Sequence, residues 1–371
     1  MRLLSVHPQI SSCKDCAAFC EEFAIGGQDL ILTSRHTFEH YLQGKTGEAH
    51  VVFLRDFGQG EPSDEMVDKL VAHVQGLNYR RIVGIGGGSI LDVSKLFALR
   101  QVAPACDLFE KKFEPVKANE LILIPTTCGT GSEVTNISIL ELKQRNTKLG
   151  LAVDAIYADH AVLVPELLQD LPFRFFATSS IDAFIHAIES YLSPRANRMT
   201  WLFSCEAMRL IVEGYRFICA HGEDSRQELL EDFLYASLYA GIAFGNAGTG
   251  TVHAMSYPFG AAFHVPHGEA NYIFLSAVMH VYQQKNAHGT IRELNLFLKD
   301  LLDCEADAVY DALEALFTQI LPKKPLHAYG TTREQLEIFT DNVMEKQGRL
   351  MANAYVPMDR SSIYSIYKTV F

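Results

Sequence analysis

Four side chains carry the strongest chemical signal in this sequence: Asp182 and His186, four residues apart, then His253 and His267, fourteen apart. One carboxylate and three imidazoles form a donor set suited to a divalent first-row metal such as Fe2+ or Zn2+. Around the first pair, Ile181, Phe184, Ile185, Ile188 and Leu192 recur at helical spacing. That pattern predicts a helix projecting Asp182 and His186 from neighbouring turns, with Glu189 on the same face and placed to orient a ligand imidazole. The same spacing also suits a plain structural Asp–His pair, so the metal reading depends on what surrounds it.

Two loops upstream supply that context. The run RIVGIGGGSILDVSK at 81–95 reads as a strand, a glycine turn and an amphipathic helix opening at Ser89. Glycines let the backbone approach a pyrophosphate, and a helix N-terminus offers free N–H groups with a positive dipole. Ser89 either caps the helix or bonds a phosphate oxygen. The loop matches neither GxGxxG nor a Walker A motif, and a bare tight turn is the alternative. Asp92 and Lys95, three apart, read as a surface ion pair, or Asp92 holds the loop open. After the next strand, PTTCGTGSEVT at 125–135 forms a hydroxyl-rich loop. In open α/β sheets, ligands sit at the carboxyl ends of strands, so two such loops side by side predict a dinucleotide crevice.

These loops need a scaffold. Asp29–Thr33, His50–Leu54, Arg81–Ile85 and Leu121–Ile124 read as short buried parallel strands. Residues 62–74 read as a helix capped by Ser63. Beyond Pro172 long helical patterns at 201–219, 228–243 and 271–282 take over. The expectation is an α/β dinucleotide-binding domain over 1–171 and an all-helical metal- and substrate-binding domain over 172–371, packed around a shared cleft. The chain has 371 residues, 48% hydrophobic and 20% charged, with net charge −12. That balance is globular, and the net charge argues against nucleic acid or an anionic membrane surface without excluding an anionic small-molecule substrate. There is neither a basic, apolar leader at the start nor an apolar run long enough to span a bilayer. Eight cysteines without a framework pattern read as reduced thiols in a cytoplasmic protein, and Cys13-Lys-Asp-Cys16 lacks a matching second pair for a zinc or redox site.

With GGGSILDVSK at 86–95, PTTCGTGSEVT at 125–135, DAFIHAIE at 182–189 and HAMSYPFGAAFHVPHGEAN at 253–271, the chain resembles the iron-containing (group III) alcohol dehydrogenases. GNAG at 245–248, VHAMSYP at 252–258 and HVPHGEANY at 264–272 look like the branch that interconverts 4-hydroxybutyrate and succinate semialdehyde. The resemblance implies a Rossmann-like domain followed by an all-α domain, in the architecture shared with dehydroquinate synthase. It implies an NAD-dependent enzyme holding Fe2+, with Zn2+ as the alternative ion, and a homodimer or higher homo-oligomer. Carried over, the metal ligands fall on Asp182, His186, His253 and His267, and the pyrophosphate loop on Gly87, Gly88 and Ser89. The hydroxyl-rich contacts fall on Thr126, Thr127, Thr130 and Thr135, and a lysine near the nicotinamide ribose on Lys148.

Two positions depart from the family pattern. Many relatives place a proton-relaying histidine four residues after the third ligand, where this chain has Tyr257. Tyr257 and His264 are the candidates for the relay, His264 reading equally well as a hydrogen-bonded loop histidine, and Pro258 is expected to end the helix behind Tyr257. Relatives commonly carry Asp at the turn that reaches the adenine ribose, where this chain has Thr33-Ser34. Ser34 neither grips a 2′-hydroxyl as an aspartate does nor repels a 2′-phosphate, which leaves NADP open beside NAD. Asn246, Arg349 and Lys323-Lys324 are candidate anchors for a substrate carboxylate, although the lysine pair reads more simply as ordinary surface residues. The alternatives are an iron-type dehydrogenase for another primary alcohol or diol, and a dehydroquinate synthase-like lyase.

Overall fold

The computed structural model describes residues 3–145 and 147–371. Contacts divide them into two compact units: Val6–Leu171, and Pro172–Phe371 together with residues 3–5.

The first unit is built on β1 (Gln9–Ser12), α1 (Cys16–Glu22), β2 (Asp29–Thr33), the single turn α2 (Arg35–Thr37) and β3 (His50–Phe53). It continues through α3 (Asp64–Val74), β4 (Arg81–Gly86), α4 (Gly88–Phe97), α5 (Ala105–Phe109), β5 (Glu120–Pro125), β6 (Ile137–Leu142), β7 (Thr147–Ala152) and β8 (His160–Leu163). Six strands pair in parallel in the order β1-β8-β5-β4-β2-β3. Alternate residues of the central strands enter separate cores. Leu30, Leu32, Ile82, Leu121 and Leu123 join one with α3 and α4. Ile31, Val83, Ile85, Ile122 and Ile124 join the other with α1. Both faces are therefore covered, which is why these strands are apolar throughout rather than alternating.

The four strands read from sequence are present, and the helix at Asp64–Val74 is capped by Ser63, whose Oγ accepts from Met66 N at 3.3 Å. Edge strand β1 (QISS) is mostly exposed, so it lacks the apolar signature. The antiparallel hairpin β6/β7 was also outside that reading; its Leu140, Leu142 and Leu151 pack into the core shared with α3.

The second unit is helical throughout, with no strand among its described residues. Its helices are α6 (Phe173–Leu192), α7 (Arg198–His221), α8 (Leu230–Ala247), α9 (Thr251–Phe263), α10 (His267–Lys285), α11 (Thr290–Leu302), α12 (Val309–Ile320), α13 (Arg333–Lys346), α14 (Gly348–Met351) and α15 (Arg360–Thr369). Asn197 and Thr332 close capping boxes at the starts of α7 and α13. Helix α6 is buried from Ser180 through Leu192, including the polar face that carries Asp182, His186 and Glu189. Pro258 does not end α9, which runs on to Phe263. The proline's fixed φ suits a helix and costs one hydrogen bond, while the next residue, Phe259, is fully buried and holds the following turn in place.

None of the eight cysteines forms a disulfide. Burial pushes the Cys13 and Cys20 thiols up to about 11, which makes them poor nucleophiles and ligands. No helix among the described residues is long and apolar enough to cross a membrane.

One buried group in the first unit has a measurable consequence. Glu133 is 1% exposed, and neither carboxylate oxygen has a hydrogen-bond partner. Burial pushes it up from 4.5 to about 7. The folded protein thus keeps this proton to a higher pH than the unfolded chain, so stability falls as pH rises from 4.5 and levels off above about 7. Glu133→Gln should melt above the parent at pH 8 and converge with it near pH 4.5. An offset independent of pH would refute this account.

Candidate metal centre

Asp182 and His186 lie one turn apart on α6, 4% and 6% exposed. His253 sits in the first turn of α9 at 2% exposure, and His267 opens α10 with its side chain 47% exposed. Asp182 Oδ1 is 3.8 Å from His253 Nε2 and 3.7 Å from His267 Nε2, and Oδ2 is 4.0 Å from His186 Nε2. One donor atom from each of the four lies within 4.8 Å of the others. These gaps are too long for hydrogen bonds. Two donors each about 2.1 Å from one ion stand up to about 4.2 Å apart, which matches the carboxylate–imidazole spacing.

The lone pairs are also set for an ion. Glu189 Oε2 accepts from His253 Nδ1 at 2.6 Å, which places the ring proton there and leaves Nε2 as an acceptor. That Nε2 is buried without a hydrogen-bond partner. An orphaned acceptor beside a carboxylate suits a cation, so the residues fit a divalent metal. Glu189 Oε1 accepts from Val252 N at 2.6 Å, so the same carboxylate satisfies a free N–H at the start of α9. The His186 ring stacks between Phe244 at 4.2 Å and His253 at 4.8 Å, which fixes its plane. Burial disfavours the Asp182 carboxylate, but the fields of His186, His267 and His253 and a bond from Asn271 outweigh it. They hold Asp182 below the usual carboxylate range.

Helix α10 reaches this centre because Gly268 has no Cβ. A Cβ there would lie 1.9 Å from Thr178 O on α6 and 3.1 Å from Asp182 Cβ. Glu269 secures the contact by accepting from Arg174 Nη2 and from the Tyr329 hydroxyl, each at 2.8 Å. The Tyr257 ring stands 6.5 Å from His253 and 5.7 Å from His267, centroid to centroid. His264 caps the end of α9 in the left-handed conformation, exposed and without a hydrogen bond or ring contact to the four. The Asn246 amide is committed to the backbone of Ser5 and Ile242, and Lys323 pairs with Glu314 at 2.9 Å. Lys324 and Arg349 are exposed. None of these anchors contacts the four.

In the first unit the loops after β2, β4 and β5 stand side by side, as their strands do. Gly87 and Gly88 form the turn; Gly87, not Ser89, is the N-cap of α4, and Ser89 is exposed in its first turn. A Cβ on Gly88 would lie 2.9 Å from Thr130 Cγ2, so its absence lets the two loops meet. Thr126 N donates to Gly86 O at 3.1 Å, and Thr127 Oγ1 is buried without a partner. The Thr135 hydroxyl instead serves Lys95 at 3.3 Å and the Ser132 carbonyl at 3.4 Å. Ser34 caps α2, its Oγ accepting from Thr37 N at 3.0 Å. Lys148 is exposed on β7 and pairs with Glu61 at 2.5 Å.

Lys95 is not on the surface. It is fully buried, donating to Ser132 Oγ and Ile137 O at 2.6 Å each. Asp92 accepts from Ser132 Oγ at 2.6 Å and Ile139 N at 3.0 Å, tying α4 to the hydroxyl-rich loop.

Gly268→Ala should cost about 1–3 kcal/mol of stability by forcing α10 off α6. It should also weaken metal binding, measured by urea unfolding and metal titration. At Gly260, where a Cβ meets nothing closer than 3.6 Å, the same change should leave both near the parent. Parental metal binding in Gly268→Ala would show that the close approach does not position His267.

Comparison with known proteins agrees with this geometry. Residues 8–165 match the iron-containing alcohol dehydrogenase model and residues 176–371 that of the Fe-containing alcohol dehydrogenase family, C-terminal. A 4-hydroxybutyrate dehydrogenase of Clostridium kluyveri is 46% identical over 371 residues, covering 100% of both chains. A long-chain-alcohol dehydrogenase of Geobacillus thermodenitrificans is 35% identical over 84% of this chain and 80% of its own. Among solved structures, an iron-containing alcohol dehydrogenase from Thermococcus thioreducens superposes with a TM-score of 0.84 at 25% identity, covering 99% of each chain. A sulfoacetaldehyde reductase from Bifidobacterium kashiwanohense, in complex with NAD+, shares the fold with a TM-score of 0.86 at 23% identity, over 99% of this chain and 98% of its own. With both halves matched and the donor cage assembled from three helices, the chain belongs to the iron-containing alcohol dehydrogenase family.

Proposed function

We propose that this chain interconverts 4-hydroxybutyrate and succinate semialdehyde by hydride transfer with NAD(H), using a metal held by Asp182, His186, His253 and His267. The end-to-end 46% identity to a protein of that activity carries the choice of substrate. The ion, when bound, supplies Lewis acidity toward the substrate oxygen, and the nicotinamide supplies the hydride chemistry. An N3O donor set suits Fe2+, while Zn2+ has the higher intrinsic affinity and is the alternative.

The remaining work falls to side chains. Glu189 keeps the His253 proton on Nδ1, so Nε2 stays available. The turn of Gly87, Gly88 and Ser89, at the N-terminus of α4, offers backbone N–H groups to the cofactor pyrophosphate. Thr126, Thr127 and Thr130 face the same strand ends and supply hydroxyls, with Thr135 bracing their loop through Lys95. Tyr257 passes the alcohol proton toward solvent, a role supported by its placement beside His253 and the half-exposed His267. Lys148 is read as a ribose contact that exchanges its Glu61 partner for the cofactor. On this reading residues 1–171 bind the dinucleotide and 172–371 the metal and substrate, in a cytoplasmic homo-oligomer whose eight thiols stay reduced. A second reading, a longer primary alcohol as substrate, is favoured by the 35% identity to a long-chain-alcohol dehydrogenase.

NADH oxidation with succinate semialdehyde should exceed that with butyraldehyde at equal concentration; the reverse order would favour the second reading. His267→Ala should lower turnover by more than about 100-fold, and unchanged turnover would remove the metal site. Ser34→Asp should raise the preference for NADH over NADPH, read as the ratio of kcat/KM values, because a carboxylate repels a 2′-phosphate.

A further inference from the structure

Beside the cage stands one side chain that the reaction has not yet used. Asn271, one turn after His267 on α10, is fully buried. Its Nδ2 donates to Asp182 Oδ1 at 2.7 Å and faces His267 Nε2 at 3.1 Å. One amide thereby joins a donor from α6 to a donor from α10. Its orientation follows from charge, since turning the amide over would point its oxygen at the carboxylate. That orientation leaves Asn271 Oδ1 buried without a hydrogen-bond partner. Packing alone would be better served by an apolar residue of the same size, which carries no unsatisfied acceptor and forms helix more readily.

We propose that Asn271 is a positioning residue of the metal centre, holding the Asp182 carboxylate and the His267 ring in the arrangement an ion requires. The proposal rests on the reading of the four residues as ligands. The bond to Asp182 is short and charge-assisted, and it restrains the carboxylate whether or not Nε2 of His267 is engaged. The bond to His267 is longer and neutral, and it yields when Nε2 gives its lone pair to an ion. Its value is to keep a ring that is 47% exposed, and so weakly restrained by packing, close to its working position. Ligands held in place before binding cost less order to assemble, which appears as affinity.

The test titrates full-length, chelator-stripped protein with Fe2+ under anaerobic conditions and with Co2+, whose visible absorption reports ligand geometry. Asn271→Leu keeps the volume and removes both bonds. It should weaken both ions by about 10- to 100-fold and alter the Co2+ spectrum. Asn271→Ser, smaller and tolerant of misfit, should move affinity in the same direction if the leucine variant fails to fold. Val278→Ala, buried about two turns beyond Asn271 on the same helix, should lower Tm while leaving ion affinity unchanged. Parental affinity and spectrum in the folded Asn271 variant would overturn the positioning role. So would an equal loss of affinity in Val278→Ala. A parent protein that binds neither ion would instead overturn the ligand assignment itself.

Discussion

A carboxylate inside a protein must be compensated, and the second unit is organised around that requirement at Asp182. Its oxygens face three imidazoles at 3.7–4.0 Å and one amide at 2.7 Å, with 4% of the residue exposed. His186 comes from the same helix as Asp182, whereas His253 comes from α9 and His267 and Asn271 from α10. Helix α9 begins where Glu189 can satisfy Val252 N and grip His253. Helix α10 begins where the missing Cβ of Gly268 lets it lie against Thr178. Burial raises the energy of the unneutralised charge, so the same low-dielectric setting that makes Asp182 expensive makes it effective toward a cation.

The first unit solves a different problem with related means. Its glycine and hydroxyl-rich loops lie at the ends of adjacent parallel strands, and their shape is held from behind rather than from solvent. Lys95 fills the space between α4, the hydroxyl-rich loop and β6, spending its donors on Ser132, Thr135 and Ile137. A fully buried ammonium with this many acceptors fixes the geometry of a loop that would otherwise be a run of small polar residues. The hydroxyls of Ser132 and Thr135 are thereby committed to structure, while the Thr127 hydroxyl has no protein partner.

Legibility in the sequence followed burial. The central strands β2, β4 and β5 are covered on both faces, so their apolar runs are unmistakable, and α3 carries its own cap in Ser63. Strand β1 is polar because it is an edge, and β6/β7 is a hairpin whose outward residues obscure the inward leucines. Pro258 signalled a helix end that packing of Phe259 overrode. Lys95 read as a surface lysine because spacing reports helix neighbours, whereas burial depends on β6 and the loop that cover it.

The donor residue types, the glycine turn and the resemblance to the family were legible in the sequence alone, because residue identity and short-range spacing express donor chemistry and helix faces directly. The i, i+4 relation of Asp182 and His186, and of Glu189 to the same face, needed nothing more. Tertiary structure decided what depends on distant segments meeting. It brought His253 and His267 onto the same carboxylate and took Glu189 to His253 rather than to its own helix. It left His264 in solvent and placed Asn271 between Asp182 and His267. Those outcomes turn on how closely two helices approach, and that distance is set by side-chain volume at the contact, down to the one Cβ that Gly268 lacks.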